Sequence, residues 1–421
     1  MRITCSGARS DWRAVDLTDP VFYAQGDPHA VWRAMRDEAP VHRHRLADGR
    51  EYVSVTRYAD VRTVVGDHQV FSSRRGNMLS VLGGHDPAAD RMMVSSDPPI
   101  HTELRAPLMK HLSQQRMREL GPAIRAMARR LLAPLADGDT WDVAESVAMF
   151  PMMFTGLLMG LPERDWPELV RLTSTSVAPD DPAYGADGDS PLSAHHELFD
   201  YFVELAHTGE DDREDLVGAI RRMTPQGRRI RTDEVIYNCY NVLLGATVTA
   251  PHVIASTVLA FTEHPDAYAR ITPEADAVDL AVTEALRWSS PATHAMRYTN
   301  AATEIGGVPI GADEAVVAWL GSANRDRAVF DDPYRFDVTR RPNPHLAFGS
   351  GRHYCIGAPL ARVALGEFFG EVVRIAEGFE LAGEVRHLVS NFIAGFTSLP
   401  VRARLRPGAE RELAAARAEG S

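Results

Sequence analysis

Apolar residues spaced three and four positions apart recur along most of the chain, and this spacing predicts a mainly helical protein. The longest predicted helix extends from Thr232 to about Phe261, where Asp233 and Glu234 suit the positive N-terminal end of a helix. The most apolar segment, residues 147–161, is shorter than the ~20 residues that cross a bilayer. We therefore expect this segment to be a buried helix rather than a membrane anchor.

Strand patterns are confined to three regions of the chain. The first is Glu51–Val55, which follows the turn-forming pair Asp48-Gly49. The second lies within residues 298–318, and the third comprises residues 379–381 and 399–405. Short strands beside many helices predict a mainly α fold with small β-sheets.

Composition narrows the class of protein. The 421 residues are 45% hydrophobic and 24% charged, as in ordinary globular proteins. The net charge of -12 argues against binding to nucleic acid or to an anionic membrane surface. Three cysteines, Cys5, Cys239 and Cys355, are too few for a disulfide framework, and the first residues lack the apolar core of a signal peptide. We expect a cytoplasmic protein.

One cysteine stands in an unusual local sequence. Cys355 lies near the end of the glycine-rich segment Phe348–Gly357, directly before a helix-forming run that starts at Ala358. The positive end of a helix dipole and nearby backbone N–H groups favour a thiolate, which is the form that ligates iron. Gly351 and Gly357 allow a sharp turn and a close approach of the backbone. A buried core cysteine is the alternative, since that is the usual place of a lone cysteine.

The order Phe-x-x-Gly-x-His-x-Cys-x-Gly, followed by Leu360-Ala-Arg362, closely resembles the haem-binding loop of the cytochromes P450. The resemblance implies the P450 fold, with Cys355 as the axial ligand of the iron in haem b (iron protoporphyrin IX). It also implies that His353 contacts a haem propionate and that Phe348 covers the thiolate.

Further cationic residues fit the same family. His101 and Arg105 lie four positions apart after Asp97-Pro98-Pro99, which predicts a helix N-cap followed by proline. The resemblance implies that His101, Arg105 and Arg297 bind the haem propionates, for which a planar guanidinium is a natural partner. For His101 and Arg105 the alternative is a solvated pair of helix side chains.

A second charged motif fits a structural role. Glu284 and Arg287 are three positions apart on a predicted helix, and Arg335 follows within Asp332-Pro-Tyr-Arg-Phe. Such a pair is common on helix surfaces and carries little weight alone. The resemblance implies that Glu284, Arg287 and Arg335 form the triad that holds the cysteine side of a P450 together.

The middle of the long helix carries the segment Gly245-Ala-Thr-Val-Thr-Ala-Pro251. The P450 pattern there is roughly Ala-Gly-x-Asp/Glu-Thr, and two alignments fit it. With Gly245 at the family glycine, Val248 falls at the threonine. With Ala246 there, Thr249 falls at the threonine and Val248 at the acid. We prefer the second alignment, because it keeps the usual spacing to the later Glu-x-x-Arg motif.

In either alignment the acid that helps to deliver protons is missing, because Val248 can neither donate nor accept one. Thr249 keeps a hydroxyl for hydrogen bonding on the dioxygen side. Pro251 offers no N–H to the carbonyl of Thr247, and we expect that carbonyl to hold a water, although a kink used only for packing is the alternative. Either waters alone complete the proton relay, or the substrate supplies a polar group or reacts with less proton delivery.

The substrate pocket is placed only by position in the family. Residues expected to line it, below a loop over residues 78–93, are Leu244, Ala246, Thr293, His294, Ile393 and Phe396. His294 is unusual there; we expect it to bind a polar substrate, or else to be a surface or propionate-linked histidine. Residues 178–191 are rich in turn formers and acids, which predicts a mobile surface loop that is either a channel lid or simply variable.

The activity implied is that of a monomeric monooxygenase that uses dioxygen and electrons from NAD(P)H. Because no flavin or iron–sulfur motif is present, a separate ferredoxin and ferredoxin reductase are expected as partners. The expected docking patch, for which ordinary surface charge is the alternative, comprises Arg105, Arg116, Arg352 and Arg362. The expected reaction is hydroxylation of a natural-product biosynthetic intermediate, free or carried on a carrier protein, with no nucleic acid and no membrane involved.

Two other functions fit the same residues. The missing acid suits atypical P450 chemistry, such as oxidative coupling, cyclisation, nitration or peroxide-driven oxidation. A haem protein that senses or binds a gas without turnover is the remote alternative.

The length would suit two or three domains, yet no linker divides the chain. We expect one catalytic domain over residues 19–405, an N-terminal tail over residues 1–18, and a frayed, charged tail over residues 406–421.

Overall fold

The computed structural model describes residues 11–184, 191–208, 213–272 and 274–418. Helices are the main elements, and in chain order α1 to α17 are Pro20–Gln25, Pro28–Glu38, Tyr58–Gly66, Ile100–His111, Gln114–Leu132, Val143–Val147, Phe150–Met159, Trp166–Val177, Pro191–Thr208, Leu216–Arg221, Thr232–Thr247, Ala250–Glu263, Pro265–Tyr268, Ala275–Ser289, Leu320–Ala323, Ala358–Ile375 and Ala409–Ala418. The strands β1 to β12 are Val41–Arg45, Glu51–Val55, Phe71–Ser72, Trp141–Asp142, His294–Thr299, Thr303–Ile305, Val308–Ile310, Ala315–Trp319, Ala376–Leu381, Arg386–His387, Phe396–Ser398 and Pro400–Leu405. The expected fold class, mainly α with small β-sheets, is confirmed.

The largest sheet has five strands in the order β1-β2-β8-β5-β3. Strands β2 and β8 run parallel, and the other neighbours are antiparallel. In β8, Val316 and Ala318 join an apolar cluster with α3, whereas Val317 and Trp319 join another with α2. Because successive side chains of a strand point to opposite faces of the sheet, both faces of β8 are buried.

Three smaller sheets complete the β structure, in the orders β4-β12-β9, β10-β11 and β6-β7. Each of the three predicted strand regions contains strands, while β1, β3, β4, β10 and β11 were not predicted. Four of these five strands are too short to show a clear alternation of apolar and polar residues in the sequence.

The predicted long helix is confirmed except for a break at Val248 and Thr249, which separates α11 from α12. Its start is capped, since the Glu234 side chain accepts a hydrogen bond from the N–H of Arg231 at 2.8 Å. Within the described ranges, Thr232–Glu263 is the one stretch whose length and composition would suit a membrane span, but 61% of its most apolar window is buried in the fold. It forms the centre of the helical core.

The start of the described chain is packed, not free. Trp12 and Leu17 are 2% and 1% exposed, and the indole N–H of Trp12 donates to Glu38 at 3.0 Å. The expected N-terminal tail is therefore wrong for residues 11–18, because two apolar side chains there reach the core. Residues 1–10, with Cys5, lie outside the described part.

The end of the chain is also ordered differently from the prediction. Helix α17 packs against α5, and Leu413 is 1% exposed. Glu412 forms an ion pair with Arg374 of α16. The expected frayed tail is wrong for Ala409–Ala418, and residues 419–421 lie outside the description.

The first part of the predicted surface loop is docked on the fold. Asp181 is 3% exposed, and its carboxylate accepts a hydrogen bond from the N–H of Val389 at 2.7 Å. The hydroxyl of Ser390 donates to the carbonyl of Val177 at 2.9 Å, at the end of α8. The prediction of a mobile loop is wrong at Ala178 and Asp181, which are buried, and residues 185–190 lie outside the described ranges.

The packing of α17 predicts a measurable contribution to stability. Leu413→Ala should lower the free energy of unfolding by about 2–5 kcal/mol, the range for buried leucines. Leu381→Ala is the matched control, because Leu381 is 47% exposed and should tolerate the change. Urea unfolding of both variants measures the difference, and equal midpoints would show that α17 is not part of the cooperative fold.

Candidate active site

Cys355 lies in a short turn before α16. Its backbone N–H donates to the carbonyl of Phe348 at 2.9 Å, which closes the loop between them. Burial raises the pKa of the Cys355 thiol above its ordinary value, while the N–H of Gly357, the Arg105 guanidinium and the N–H of Ala358 act in the opposite direction. The thiolate-favouring groups expected at the helix start are present, but burial outweighs them. The thiolate therefore needs a cation at the sulfur.

The two glycines of this loop differ in what they require. Gly351 has a φ of +70°, and a Cβ there would lie 2.6 Å from the carbonyl oxygen of Gly66. It therefore needs both the left-handed conformation and the close approach that glycine allows. Gly357 has a φ of -81°, which any residue adopts, and a Cβ there would be 3.8 Å from the Cys355 sulfur. Gly357 acts on the sulfur through its N–H.

A cavity separates the cysteine loop from the break between α11 and α12. The groups that face it from the loop, the helices and the segment around β5 include Phe348, Ser350, His353, Cys355, Gly245, Ala246, Thr249, Ala250, Val253, Asn77, Val94, Ala292, His294, Ala295, Arg297 and Phe392. A Cβ at Gly245 would have nothing within 4 Å, so the middle of this core helix opens onto space. Cys355 and Thr249 thus share one cavity.

One wall of the cavity carries a guanidinium that is buried without an anion. Arg297 is 5% exposed, and Nη1 donates to the carbonyl of Met296 at 2.7 Å. No carboxylate among the described residues forms an ion pair with it. Burial lowers the pKa of Arg297 to about 10, and Asp97 opposes this shift. A buried cation of this kind calls for a negatively charged ligand.

Two histidines and a second arginine lie beside Arg297. The rings of His101 and His353 are 4.3 Å apart between centroids, and His101 Nδ1 is buried with no partner in the described chain. Burial, then Arg297, His101 and Arg105, lower the pKa of His353. Arg105 donates from Nη2 to the carbonyl of Tyr354 at 2.7 Å. The predicted propionate ligands are therefore brought together at one place.

A serine that the sequence did not single out orients this group. Ser73 Oγ lies 3.2 Å from His353 Nε2. Asp97 accepts hydrogen bonds from Ser72 Oγ at 2.5 Å and from the N–H of Ser73 at 3.1 Å. The predicted N-cap role of Asp97 is wrong, because its carboxylate is committed to these serines and α4 begins only at Ile100.

These side chains fit a haem-thiolate site. Two guanidiniums and two imidazoles, one with an unpartnered nitrogen, suit a pair of carboxylates. A buried sulfur that meets backbone N–H groups at a helix start suits a metal cation. Phe348 lies on the same side of the cavity as the sulfur, and the Arg362 guanidinium sits 5.3 Å from its ring centroid.

Two members of the expected triad are paired with each other, and the third is wrong. Glu284 and Arg287 are fully buried, with Arg287 Nη2 2.7 Å from Glu284 Oε1. Arg340 Nε, not Arg335, pairs with Glu284, at 3.3 Å from Oε2. Arg335 contributes its backbone carbonyl, which accepts from Arg287 at 3.2 Å. The irregular path of residues 331–343 decides which arginine reaches the carboxylate.

The break in the long helix leaves several carbonyls without helical partners. In the described backbone, no N–H donates to the carbonyls of the four consecutive residues Gly245, Ala246, Thr247 and Val248. Pro251 has no N–H, which accounts for the carbonyl of Thr247 as expected. Pro251 alone does not account for all four carbonyls. The N–H of His252, which would reach the carbonyl of Val248 in a continuous α-helix, donates to the carbonyl of Thr249 instead.

The three distal residues face different ways. Thr249 lines the cavity. Thr247 is 5% exposed and donates from its hydroxyl to the carbonyl of Leu243 at 2.9 Å. Val248 is 7% exposed and packs with an apolar cluster, the roof cluster, that comprises Ala178, Leu388, Ile393, Val177, Tyr184, Leu244 and Phe392.

Of the six predicted pocket residues, two line the cavity and four do not. Ala246 and His294 line the cavity, while Leu244 and Ile393 belong to the roof cluster. Thr293 is fully buried behind His294, and Phe396 is 5% exposed in the helical core. Asn77, Val94, Ala292, Ala295 and Phe392 line the cavity without having been predicted; all except Ala295, which lies in β5, are outside the named helices and strands and leave no periodic signal.

His294 is not free to bind a substrate. Its Nε2 accepts a hydrogen bond from the N–H of Leu79 at 3.1 Å, so Nδ1 carries the proton. Nδ1 lies 2.9 Å from Thr293 Oγ1, and that hydroxyl donates to the carbonyl of Asn391 at 2.5 Å. Burial lowers the pKa of His294 to about 3, so the ring stays neutral. The expectation of a substrate-binding His294 is wrong, as is that of a surface histidine.

The predicted docking arginines are dispersed. Arg105 bonds inside the fold, and Arg116 pairs with Glu119 at 3.3 Å. Arg352 is exposed, and Arg362 lies in a groove between α5, α14 and α16, here called the arginine groove. Its charged residues are Arg118, Arg125, Arg129, Arg362, Arg374, Asp279, Glu367 and Glu371.

Known proteins share this architecture. The family model of cytochrome P450 matches residues 196–381. The putative cytochrome P450 126 of Mycobacterium tuberculosis (strain CDC 1551 / Oshkosh) is 33% identical over 400 residues, which span 89% of this chain and 95% of that protein. The cytochrome P450 monooxygenase PikC of Streptomyces venezuelae is 31% identical over 413 residues, or 96% and 98% of the two chains. The crystal structure of P450 OxyD, which is involved in the biosynthesis of vancomycin-type antibiotics, matches with a TM-score of 0.83 at 31% identity, over 93% of this chain and 100% of that one.

The site and these similarities define a haem-thiolate oxidoreductase. The chain belongs to the cytochrome P450 family, whose members of this kind are monooxygenases.

The contact between Gly351 and Gly66 predicts a sensitive position. Gly351→Ala should lower the haem content of the purified protein, because the new methyl group meets a backbone carbonyl and displaces the cysteine loop. Gly307→Ala is the matched control: its φ is +81° but nothing lies within 4 Å, so it carries only the backbone strain of about 1–2 kcal/mol. The ratio of haem to protein absorbance measures the effect, and equal losses in the two variants would contradict it.

Proposed function

We propose that this P450 hydroxylates a natural-product biosynthetic intermediate in the cytoplasm, with dioxygen, haem b and electrons from a separate ferredoxin and its reductase. The observation that carries the proposal is the single cavity shared by Cys355, the cation cluster around Arg297, and the hydroxyl of Thr249. Similarity to OxyD, which is involved in antibiotic biosynthesis, supports the substrate class.

Each group in the cavity has a definite task in this proposal. Haem, when bound, supplies the chemistry that activates dioxygen and inserts one oxygen atom into the substrate. Cys355 holds the iron, and Arg297, His101, Arg105 and His353 hold the propionates. Apolar residues such as Val253 and Ala250 limit the water beside the reacting atoms.

Proton delivery is assigned to Thr249 and to the opened helix. The Thr249 hydroxyl holds a proton on the dioxygen side of the cavity, and the free carbonyls of residues 245–248 can accept hydrogen bonds from waters that resupply it. Val248 takes no part, because its side chain is turned into the roof cluster.

A second function has one observation in its favour. With Val248 aligned at the position of the family acid, the side chain there is apolar and packs with Leu388 and Ile393, so position 248 offers no carboxylate. Atypical chemistry with less demand for protons, such as oxidative coupling, cyclisation, nitration or peroxide-driven oxidation, would suit this arrangement.

The arginine groove is the proposed docking surface for the ferredoxin. Bacterial P450s generally receive electrons from such partners. The groove lies on α16, the helix that starts beside Cys355, and five arginines face three acidic residues there. An acidic ferredoxin would be attracted to this surface.

Turnover distinguishes the two functions. A compound found by a substrate-induced spin-state screen should be hydroxylated when NAD(P)H, reductase and ferredoxin are supplied. Cys355→Ala should abolish turnover and the thiolate-type Soret band of the reduced carbon monoxide complex, whereas Cys239→Ala, a change at a buried cysteine outside the cavity, should keep both. Turnover with peroxide alone would favour the second function, and an unaltered Soret band in Cys355→Ala would overturn both.

The role of Val248 is tested by restoring the acid. Val248→Glu should change the ratio of product formed to electrons consumed, because a carboxyl group cannot stay in the apolar roof cluster and would turn into the helix break, where it can transfer protons. Val248→Gln is the matched control of the same shape without a carboxyl group. Product and NAD(P)H consumption are measured together; a ratio that stays at the wild-type value in both variants would show that proton supply does not limit this enzyme.

A further inference from the structure

The segment that carries Asn77 is fastened to β5 at Asn77 itself and at Leu79. The N–H of Met296 donates to the carbonyl of Asn77 at 2.8 Å, and the N–H of Leu79 donates to His294 Nε2 at 3.1 Å. Gly76, just before, has a φ of +105° and packs against Val81. The backbone of Asn77 is thereby held in one position beside the cavity.

The other polar residues on the cavity wall already have tasks. Arg297, Ser350, His353 and Cys355 surround the porphyrin side. Thr249 lies at the helix break. His294 also lines the cavity, but both of its ring nitrogens are engaged with protein groups.

Asn77 is the remaining polar residue on that wall. It is half-buried, and its carboxamide forms no hydrogen bond with another side chain or backbone group in the described chain. Apolar residues that line the same cavity include Val94, Ala246, Ala292, Ala295 and Phe392. When a ligand fills this part of the cavity and displaces water, an unpaired carboxamide becomes costly, so a ligand group that pairs with it is favoured.

We propose that the Asn77 carboxamide anchors the substrate by hydrogen bonding, and this inference rests on the proposed function. A carboxamide offers donors and an acceptor but no charge. Among the described residues, no acidic side chain lines the cavity to balance a cation, and Arg297 belongs to the propionate cluster. The substrate class is therefore a neutral, largely apolar molecule that bears an amide, carbonyl or hydroxyl group.

The Asn77 carboxamide gives selectivity between ligands, because a ligand that leaves it without a hydrogen-bond partner binds less tightly. A ligand of the same shape without the polar group would shield the Asn77 carboxamide from water without offering it a partner, and such mismatches are rejected more strongly than a change of one methylene. Asn77 is thus a specificity-determining residue for the reaction.

Matched azole probes test the proposal without knowledge of the natural substrate. Three pairs of phenylimidazoles carry either a carboxamide or an isopropyl group at the ortho, meta or para position. In the wild-type holoenzyme, at least one carboxamide probe should bind about threefold to tenfold more tightly than its isopropyl partner, the effect of one neutral hydrogen bond. Dissociation constants come from optical difference titrations.

Asn77→Leu and Asn77→Ala should both remove this preference while the isopropyl probes bind as before. Ser80→Ala, a change at an exposed residue of the same segment, should keep the preference. The proposal is overturned if no wild-type pair shows a preference, or if the preference survives in both Asn77 variants. The proposal is also overturned if the Asn77 variants contain less haem but still bind the carboxamide probe more tightly than its isopropyl partner. That result would indicate that Asn77 binds a haem propionate rather than the substrate. A failure of the proposed function itself would appear separately, as absent turnover in a wild-type enzyme that still prefers the carboxamide.

Discussion

The buried carboxylate of Glu284 is the constraint on which the cysteine side of the molecule depends. It is fully buried and meets Arg287, Arg340, the side-chain amide of Asn343 and the N–H of Asp337. These donors come from one helix and from the irregular segment that leads into the cysteine loop. Removing any one leaves charge or polar groups unpaired in a dry interior, which is far more costly than losing a surface ion pair. The network therefore fixes the path of a stretch that has almost no regular structure of its own.

The distal side is built by a different principle. The core helix is opened at its centre, where Gly245 and Ala246 line the cavity and the carbonyls of residues 245–248 receive no backbone N–H in the described chain. Val248 turns away from this opening and joins the end of α8 to the loop before β11. Asp181 and Ser390 add hydrogen bonds across the same contact. At this point of the core helix, the Val248 side chain contributes to the packing of the roof cluster.

Local motifs were predictable from the sequence, and contacts between distant segments were not. The cysteine loop and the pair Glu284–Arg287 are contiguous or three residues apart, so spacing alone places their side chains. The pairing of Ser73 with His353 joins residues 280 positions apart, and nothing in either local sequence indicates it. The resemblance pointed to Arg335 within Asp332-Pro-Tyr-Arg-Phe, and only the path of the folded backbone shows that Arg340 reaches Glu284 instead.

Contacts between segments that are distant in sequence also explain why the predictions for the pocket residues and the chain ends were wrong. The engagement of His294 was not foreseen, because Leu79, which donates to it, and Asn391, which accepts from the neighbouring Thr293, lie far away in sequence. Trp12 and Leu413 are single apolar residues in polar surroundings, and their burial depends on clefts formed by other elements. The periodicity of an element predicts its own buried face but not which remote segment covers it.

The arginine groove has a consequence for how the molecule behaves before any contact is made. The chain carries a net charge of -12, yet this one face gathers five arginines against three acidic residues. Such an uneven distribution gives the molecule a permanent dipole moment. In dilute buffer an approaching polyanion would rotate the molecule toward this face during diffusion, and added salt would weaken that orientation over a distance of about 10 Å at 0.1 M ionic strength.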